Sequence, residues 1–223
     1  MIRTVIFDMD GVLVDTEPLH HDAFFSHFAE LGIQISDEEY ATFLGSSTRN
    51  VYQQLKQRFK LPQDVEALVG RKREFFGKTF DESTTLELLP GVRKLVEELH
   101  AQGVPLVLAS SASKETIARV FTRFKLYPYF QHLVSGEDFE QSKPNPAIFL
   151  HAAELANTPP AECLVIEDAA NGIAAAKAAG MYCIGYRSEH SGGQDLQRAD
   201  LIVTDLGELT AARVLGIAEA ETK

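Results

Sequence analysis

The chain has 223 residues, 45% of them hydrophobic, and a formal charge of −11 from 21 Lys and Arg against 32 Asp and Glu. That length holds one large core, or a core domain with a modest insertion, and the composition excludes a disordered chain. The acidic balance excludes binding of nucleic acid or anionic membrane through bulk charge, although a metal and a few donors can reverse the sign locally for an anionic substrate.

The first apolar run, Thr4-Val5-Ile6-Phe7, predicts a strand. Asp8 and Asp10 interrupt the only early apolar stretch, so no signal peptide is expected, and no segment reaches membrane-spanning length. A cytoplasmic protein is the expectation. From about Glu17 to Leu88 the pattern gives helices and no convincing strand. Leu19, Ala23, Phe24, Phe28 and Leu31 recur at helical spacing up to Gly32. Ser36 followed by Glu39 fits a capping box. Val51, Leu55 and Phe59 mark a third helix, and Val65, Leu68, Val69, Phe76 and Phe80 a fourth.

After Pro90-Gly91 the pattern changes. Apolar runs at Val104 to Ala109, Leu133-Val134, Leu164 to Ile166, Tyr182 to Ile184 and Leu201 to Val203 alternate with helical patterns. The helical stretches are Val92 to Ala101, Lys114 to Phe124, Pro146 to Ala156 and Gly172 to Ala179, with Gly103 and Gly180 placed as C-caps. Several runs are apolar without alternation, as in strands buried on both faces. The expected fold is α/β: a doubly wound, Rossmann-like parallel sheet from residues 1–15 and 89–223, with an α-helical domain at 16–88 inserted after the first strand. Cys163 and Cys183 lie in or beside apolar runs and are expected to be buried free thiols. The tail from Ala218 is polar and expected to fray.

Four segments carry candidate chemistry. The first is Asp8-Met9-Asp10-Gly11 directly after the first strand. An acidic turn explains Asp-Gly alone. Two acids at the carboxyl end of a buried strand, however, need a cation or donors to compensate them. The second is an apolar strand ending in Ser110-Ser111, whose hydroxyls and amides suit either an ordinary cap or phosphate oxygens. The third is Ser142-Lys143-Pro144-Asn145-Pro146, a lysine beside prolines that fits a surface turn or the neutralising of an anion. The fourth is Glu167-Asp168 after another strand, where carboxylate oxygens suit a helix N-terminus or Mg²⁺.

In this order the four segments resemble the haloacid dehalogenase superfamily of aspartate-nucleophile phosphotransferases, over essentially the whole chain. The helical insertion is similar to that superfamily's α-helical cap, and the branch most resembled is the β-phosphoglucomutase and sugar-phosphatase group. The resemblance implies Asp8 as nucleophile, becoming an aspartyl-phosphate, and Asp10 as general acid/base. It implies Ser110 as a phosphoryl-binding hydroxyl and Lys143 as the charge-balancing cation. Mg²⁺ is the implied cofactor, held by the Asp8 and Asp168 carboxylates and the Asp10 carbonyl, with Glu167 supporting it directly or through water. Thr16, His20, Gly45, Arg49, Ser111 and Asn171 are expected to bind substrate. Lys72 and Arg73, on a later helix, read either as stand-ins for a cap cation or, as is commoner, as a solvated basic face. The chain departs from the mutase pattern at Leu44, where the mutase has a lysine, and Arg49 lies one position further from Gly45.

The implied activity is Mg²⁺-dependent hydrolysis of a small phosphorylated metabolite, expected to be a sugar phosphate, by a monomer. A phosphohexomutase using the same first half-reaction is the alternative. A haloacid dehalogenase needs neither Asp10 nor the Glu167-Asp168 pair. A phospho-receiver places its accepting aspartate on a later strand and has no such helical insertion.

Overall fold

The computed structural model describes residues 1–43, 46–187 and 193–220, with side chains to 217. Two compact units emerge, one of residues 1–15 and 87–223 and one of residues 16–86.

The first unit is built on a six-stranded, wholly parallel sheet: β1 (Thr4–Phe7), β2 (Leu106–Ser110), β3 (His132–Ser135), β4 (Cys163–Glu167), β5 (Tyr182–Tyr186) and β6 (Leu201–Val203). The spatial order is β3-β2-β1-β4-β5-β6. Every residue of β1, β2 and β4 is buried, which is why these strands read as unbroken apolar runs. The edge strands β3 and β6 are only partly buried. β1 lies between β2 and β4, with Val5 opposite both Leu106 and Leu164.

Alternate residues of β1 face opposite layers. Ile6 joins a core with Ile148, Phe149, Ala152 and Ala153 of α7 (Ala147–Leu155) and Ile173, Ala175 and Ala176 of α8 (Ala170–Ala178). Phe7 meets Phe130 edge-on at 5.7 Å, and Phe130 in turn meets Phe121 of α6 (Lys114–Phe124) at 5.1 Å. Each such fully buried large apolar side chain contributes about 1.5–3 kcal/mol relative to exposure. Between the strands, α5 (Val92–Ala101) packs on β2, and α9 (Ala211–Ala220) packs on α5. Gly103 and Gly180 take positive φ, as their places after helices lead one to expect. Both cysteines are buried and free.

This strand order has its topological switch point at β1. The chain builds outward through β2 and β3, then returns to the other side of β1 with β4. In such sheets the crevice beyond the strand carboxyl ends, at the switch point, is where ligands sit. Asp8, Ser110 and Glu167 stand at the carboxyl ends of β1, β2 and β4.

The second unit is helical: α1 (Glu17–Leu31), α2 (Asp37–Ala41), α3 (Thr48–Phe59) and α4 (Val65–Glu82). α4 packs against α1 and α3 around Phe24, Phe28, Tyr52, Leu55, Leu68 and Val69. Ser36, Ser47 and Asp64 cap α2, α3 and α4 through their side chains, and α1 stops at left-handed Gly32. The return to the first unit falls at 86/87 rather than 88/89. Leu88 bridges Val14, and Leu89 N–H donates to the Leu13 carbonyl at 3.0 Å, so these residues belong with the sheet. No helix among the described residues is long and apolar enough to cross a membrane.

Candidate active site

The backbone after β1 wraps around Met9. The Asp8 N–H still donates to the Ile166 carbonyl at 3.0 Å, extending the ladder toward β4 by one residue. The N–H groups of Val12, Leu13 and Val14 then converge on the Met9 carbonyl, and Gly11 N–H donates to Val14 O at 2.9 Å. Gly11 permits the turn, at φ 78°. A Cβ there would also overlap the Asp168 carboxylate, so the glycine leaves the space that Asp168 fills.

Lys143 is the hub. Its Nζ donates to Asp8 Oδ1 at 2.5 Å, to Glu167 Oε1 at 3.0 Å and to the Ala109 carbonyl at 3.1 Å, and it lies 4.8 Å from the Phe149 ring centroid. Lys143 is 7% exposed, Asp8 6% and Glu167 2%, so this is a buried three-residue charge cluster. Glu167 Oε2 accepts from the Ala169 N–H at 2.7 Å, so both its oxygens are engaged by the chain. A Cβ at Gly172, in the first turn of α8, would overlap Glu167 Oε1. Ser110, 1% exposed, accepts from the Ala112 N–H at 3.1 Å, which leaves its hydroxyl hydrogen to donate elsewhere.

The electrostatics are unbalanced toward negative charge. Burial pushes the Asp8 carboxyl up to about 7; Lys143 pulls the other way, while Glu167 and Asp10 add to the rise. Burial also holds Asp168 well above the usual carboxylate range, reinforced by Glu167, Asp8 and Asp10. Burial works against the charge on Lys143, but Asp8 and Glu167 outweigh it and hold the ammonium above its ordinary range. Among the described residues, the Lys143 charge thus acts on a group of carboxylates, Asp8, Glu167 and Asp168, that raise one another.

The donor set is all oxygen and carries surplus negative charge, which fits a hard divalent cation. Among the described residues no three His, Cys, Asp or Glu side chains form a ready metal cage. Two carboxylates, one backbone carbonyl and water suit Mg²⁺, which usually keeps several waters.

The first unit thus brings together Asp8, Asp10, Ser110, Lys143, Glu167 and Asp168. Ser111, next in the chain after Ser110, is half-buried, and Asn171 is exposed in the first turn of α8. Thr16, His20 and Arg49 belong to the helical unit. Thr16 is buried, and its carbonyl accepts from the His20 N–H at 2.9 Å. His20 Nδ1 lies 2.5 Å from Lys72 Nζ, and the His20 ring stacks on Phe76 at 4.3 Å. Burial, then the Lys72 charge, holds that imidazole well below its ordinary range. Lys72 is therefore not on a solvated face: it is 2% exposed, and its ammonium lies 4.5 Å from the Phe24 ring centroid. Helical periodicity could not reveal this, because two of the rings around the charged head, His20 and Phe24, are distant in sequence. Arg49, in the first turn of α3, pairs with Glu66 on the exposed surface of its own unit. Gly45 lies outside the described residues.

Sequence reasoning missed the Ala109 carbonyl and Phe149 as partners of Lys143. A backbone acceptor leaves no sequence signal. Phe149 reads as an ordinary apolar position of its helix. Gly172 did leave a signal, since a glycine inside a helix costs up to about 1 kcal/mol and asks for a packing reason.

Known proteins resemble this chain in sequence and in fold. The family model described as haloacid dehalogenase-like hydrolase matches residues 5–186. Hexitol phosphatase B of Escherichia coli (strain K12) is 34% identical over 222 residues, covering 96% of this chain and 97% of its own length. Beta-phosphoglucomutase of Bacillus subtilis (strain 168) is 30% identical over 225 residues, covering 94% of this chain and 92% of its own. The crystal structure of a mutant of CbbY from Rhodobacter sphaeroides in complex with xylulose-(1,5)bisphosphate matches with a TM-score of 0.87 at 27% identity, over 94% of this chain and 96% of that one.

Proposed function

The chain belongs to the haloacid dehalogenase-like hydrolase family, and from that premise we propose that it is a Mg²⁺-dependent phosphatase of a small phosphorylated carbohydrate, working through an aspartyl-phosphate on Asp8. The observation that carries this reading is the Asp8–Lys143–Glu167 cluster at the carboxyl ends of adjacent strands at the switch point. The names of the relatives support the substrate class: one is a hexitol phosphatase, and a solved neighbour holds a sugar bisphosphate.

Asp8 supplies the nucleophilic oxygen. Its carboxylate attacks phosphorus as the bond from phosphorus to the sugar oxygen breaks. Asp10 gives a proton to the departing alcohol. In the second half, Asp10 takes a proton from water, the water oxygen bonds to phosphorus, and the Asp8–phosphorus bond breaks to release phosphate. Lys143 favours the ionised form of Asp8 and orients it, and the Ser110 hydroxyl is poised to donate to a phosphoryl oxygen. The Asp8 and Asp168 carboxylates and the Asp10 carbonyl would hold Mg²⁺, with Glu167 supporting them through charge or water. When bound, the metal supplies charge stabilisation at the phosphoryl oxygens, which offsets the repulsion between a phosphate dianion and an aspartate.

The mutase reading shares the first half and returns the phosphoryl group to a sugar hydroxyl. The Bacillus subtilis relative keeps it in view. Leu44, standing where the mutase has a lysine, removes a cation that a bisphosphorylated intermediate would use.

The test is phosphate release from a panel of sugar and polyol phosphates with Mg²⁺, for wild type beside Asp8→Asn and Asp10→Asn. The panel includes β-glucose-1-phosphate, with glucose-6-phosphate assayed in parallel. Free phosphate from several substrates, lost in both variants, is the expected result. Glucose-6-phosphate with little free phosphate would replace the phosphatase by the mutase. No product of either kind from folded, magnesium-loaded protein would sink both.

A further inference from the structure

Helix α8 begins where the proposed metal turn ends, yet its own sequence does not cap it. Asp168 immediately precedes the N-cap, Ala169, which has extended backbone (φ −110°, ψ 143°) and no side-chain acceptor. The first N–H groups of a helix need partners from somewhere. Ala169 N–H is taken by Glu167 Oε2. Ala170 N–H is taken by Oε1 of Gln194, 24 residues along the chain, at 3.0 Å.

The segment that carries Gln194 grips α8 along its length. Leu196 is fully buried in the same core cluster as Ile173 of α8, and both lie against Gly185. Asp200 takes the Lys177 ammonium at 2.6 and 2.7 Å, near the other end of the helix, and also the Cys183 N–H at 2.8 Å. Ala199 N–H closes a turn back to the Leu196 carbonyl at 2.9 Å. Gln194 is thus mounted two residues before a buried anchor, with its amide oxygen on the first turn of the helix. The turn it steadies has little slack. The Asp168 carboxylate packs where a Cβ on Gly11 would go, and Gly172 abuts Glu167.

We propose that Gln194 is a positioning residue for the Glu167–Asp168 turn, fixing through the Ala170 N–H where the Asp168 carboxylate stands against Gly11 and Asp8. This inference rests on the metal reading of the site given above. It assigns Gln194 no contact with substrate. The side chain supplies from a distant loop the cap that Ala169 cannot, and so it acts on metal affinity rather than on the chemical step.

The experiment measures Mg²⁺ binding by calorimetry and amide hydrogen exchange at Ala170 by NMR, for wild type, Gln194→Ala, Gln194→Glu and Asp195→Ala. Removing an outer partner of a metal site typically weakens binding at least about tenfold, so Gln194→Ala is expected to bind Mg²⁺ about tenfold more weakly. It should also lose protection at Ala170 while keeping its kcat at saturating Mg²⁺ within about twofold. Gln194→Glu keeps an acceptor and is expected to keep the protection. Asp195→Ala, on the same loop, removes a local acceptor for Gln197 N–H and is expected to match wild type in both readouts. Wild-type affinity and protection in Gln194→Ala would overturn the inference. Equal weakening by Asp195→Ala would overturn it too, by making the loop merely structural. A wild type that binds no Mg²⁺ would instead overturn the metal reading, and this inference with it.

Discussion

Gly172 and the Glu167 carboxylate occupy adjoining space so closely that a Cβ at residue 172 would overlap Oε1, the oxygen that accepts from Lys143. A helix-favouring substitution at this position is therefore expected to harm the site. Gly172→Ala improves helix propensity by up to about 1 kcal/mol, but it must push Glu167 or the first turn of α8 aside. Since a displacement of about 1 Å at a reacting centre costs on the order of 100-fold, a loss of that size in kcat/KM is expected for the preferred phosphate ester. Steady-state kinetics beside a thermal melt check it. Wild-type activity in Gly172→Ala would show that Glu167 has slack.

Lys143 holds two buried carboxylates at once, so its removal leaves both uncompensated. Breaking a buried ion pair from one side typically costs about 3–5 kcal/mol. Lys143→Met is expected to lose stability on that order in EDTA, with part of the loss restored by Mg²⁺. Urea unfolding with and without the metal measures this. An unchanged midpoint would mean that Asp8 and Glu167 relax by taking up protons at little expense.

Protons and Mg²⁺ should compete at Asp8. Its folded-state pKa is raised from 3.8 to about 7, by burial first. A carboxyl raised in this way contributes its stability fully below its unfolded pKa and loses it as pH rises through about 7. A cation offsets the ionised form, so stabilisation by Mg²⁺ is expected to grow between about pH 6 and pH 8, and binding near pH 6.5 is expected to release protons. Thermal melts across pH, with calorimetry in two buffers of different ionisation enthalpy, test the sign. Stabilisation that is flat across this window would contradict it.

The helical unit should be acid-sensitive at His27. This residue is 2% exposed, lies 2.6 Å from the Tyr52 hydroxyl through Nδ1, and faces Glu30, Arg71 and Glu74. Burial lowers its pKa below 6.5, with Arg71 acting in the same direction and the two glutamates against it. A base with a depressed folded pKa binds protons more readily when unfolded, so its contribution is lost as pH falls below about 6.5. Amide protection in α1 and α3, taken relative to the intrinsic exchange rate at each pH, is expected to fall between about pH 7 and pH 5.5, less so in His27→Gln. An equal fall in both proteins would place the sensitivity elsewhere.

Much of this protein was legible in its residues because the signals are local. Apolar runs predicted the strands, several of them buried on both faces, and the six strands of the sheet form where such runs lie. Paired acids after Phe7 and Ile166, and the serines after Ala109, marked three strand ends on sequence order alone. What only the tertiary structure decided is which ends meet. The order β3-β2-β1-β4-β5-β6 sets the ends of β2 and β4 on either side of Asp8, and it draws Lys143 from a loop far along the chain onto Asp8, Glu167 and a backbone carbonyl. The burial of Lys72 on His20 and the Gln194–Ala170 hydrogen bond are likewise invisible to periodicity. Each joins groups remote in sequence, and such contacts are fixed by how whole elements pack rather than by the local pattern that forms each one.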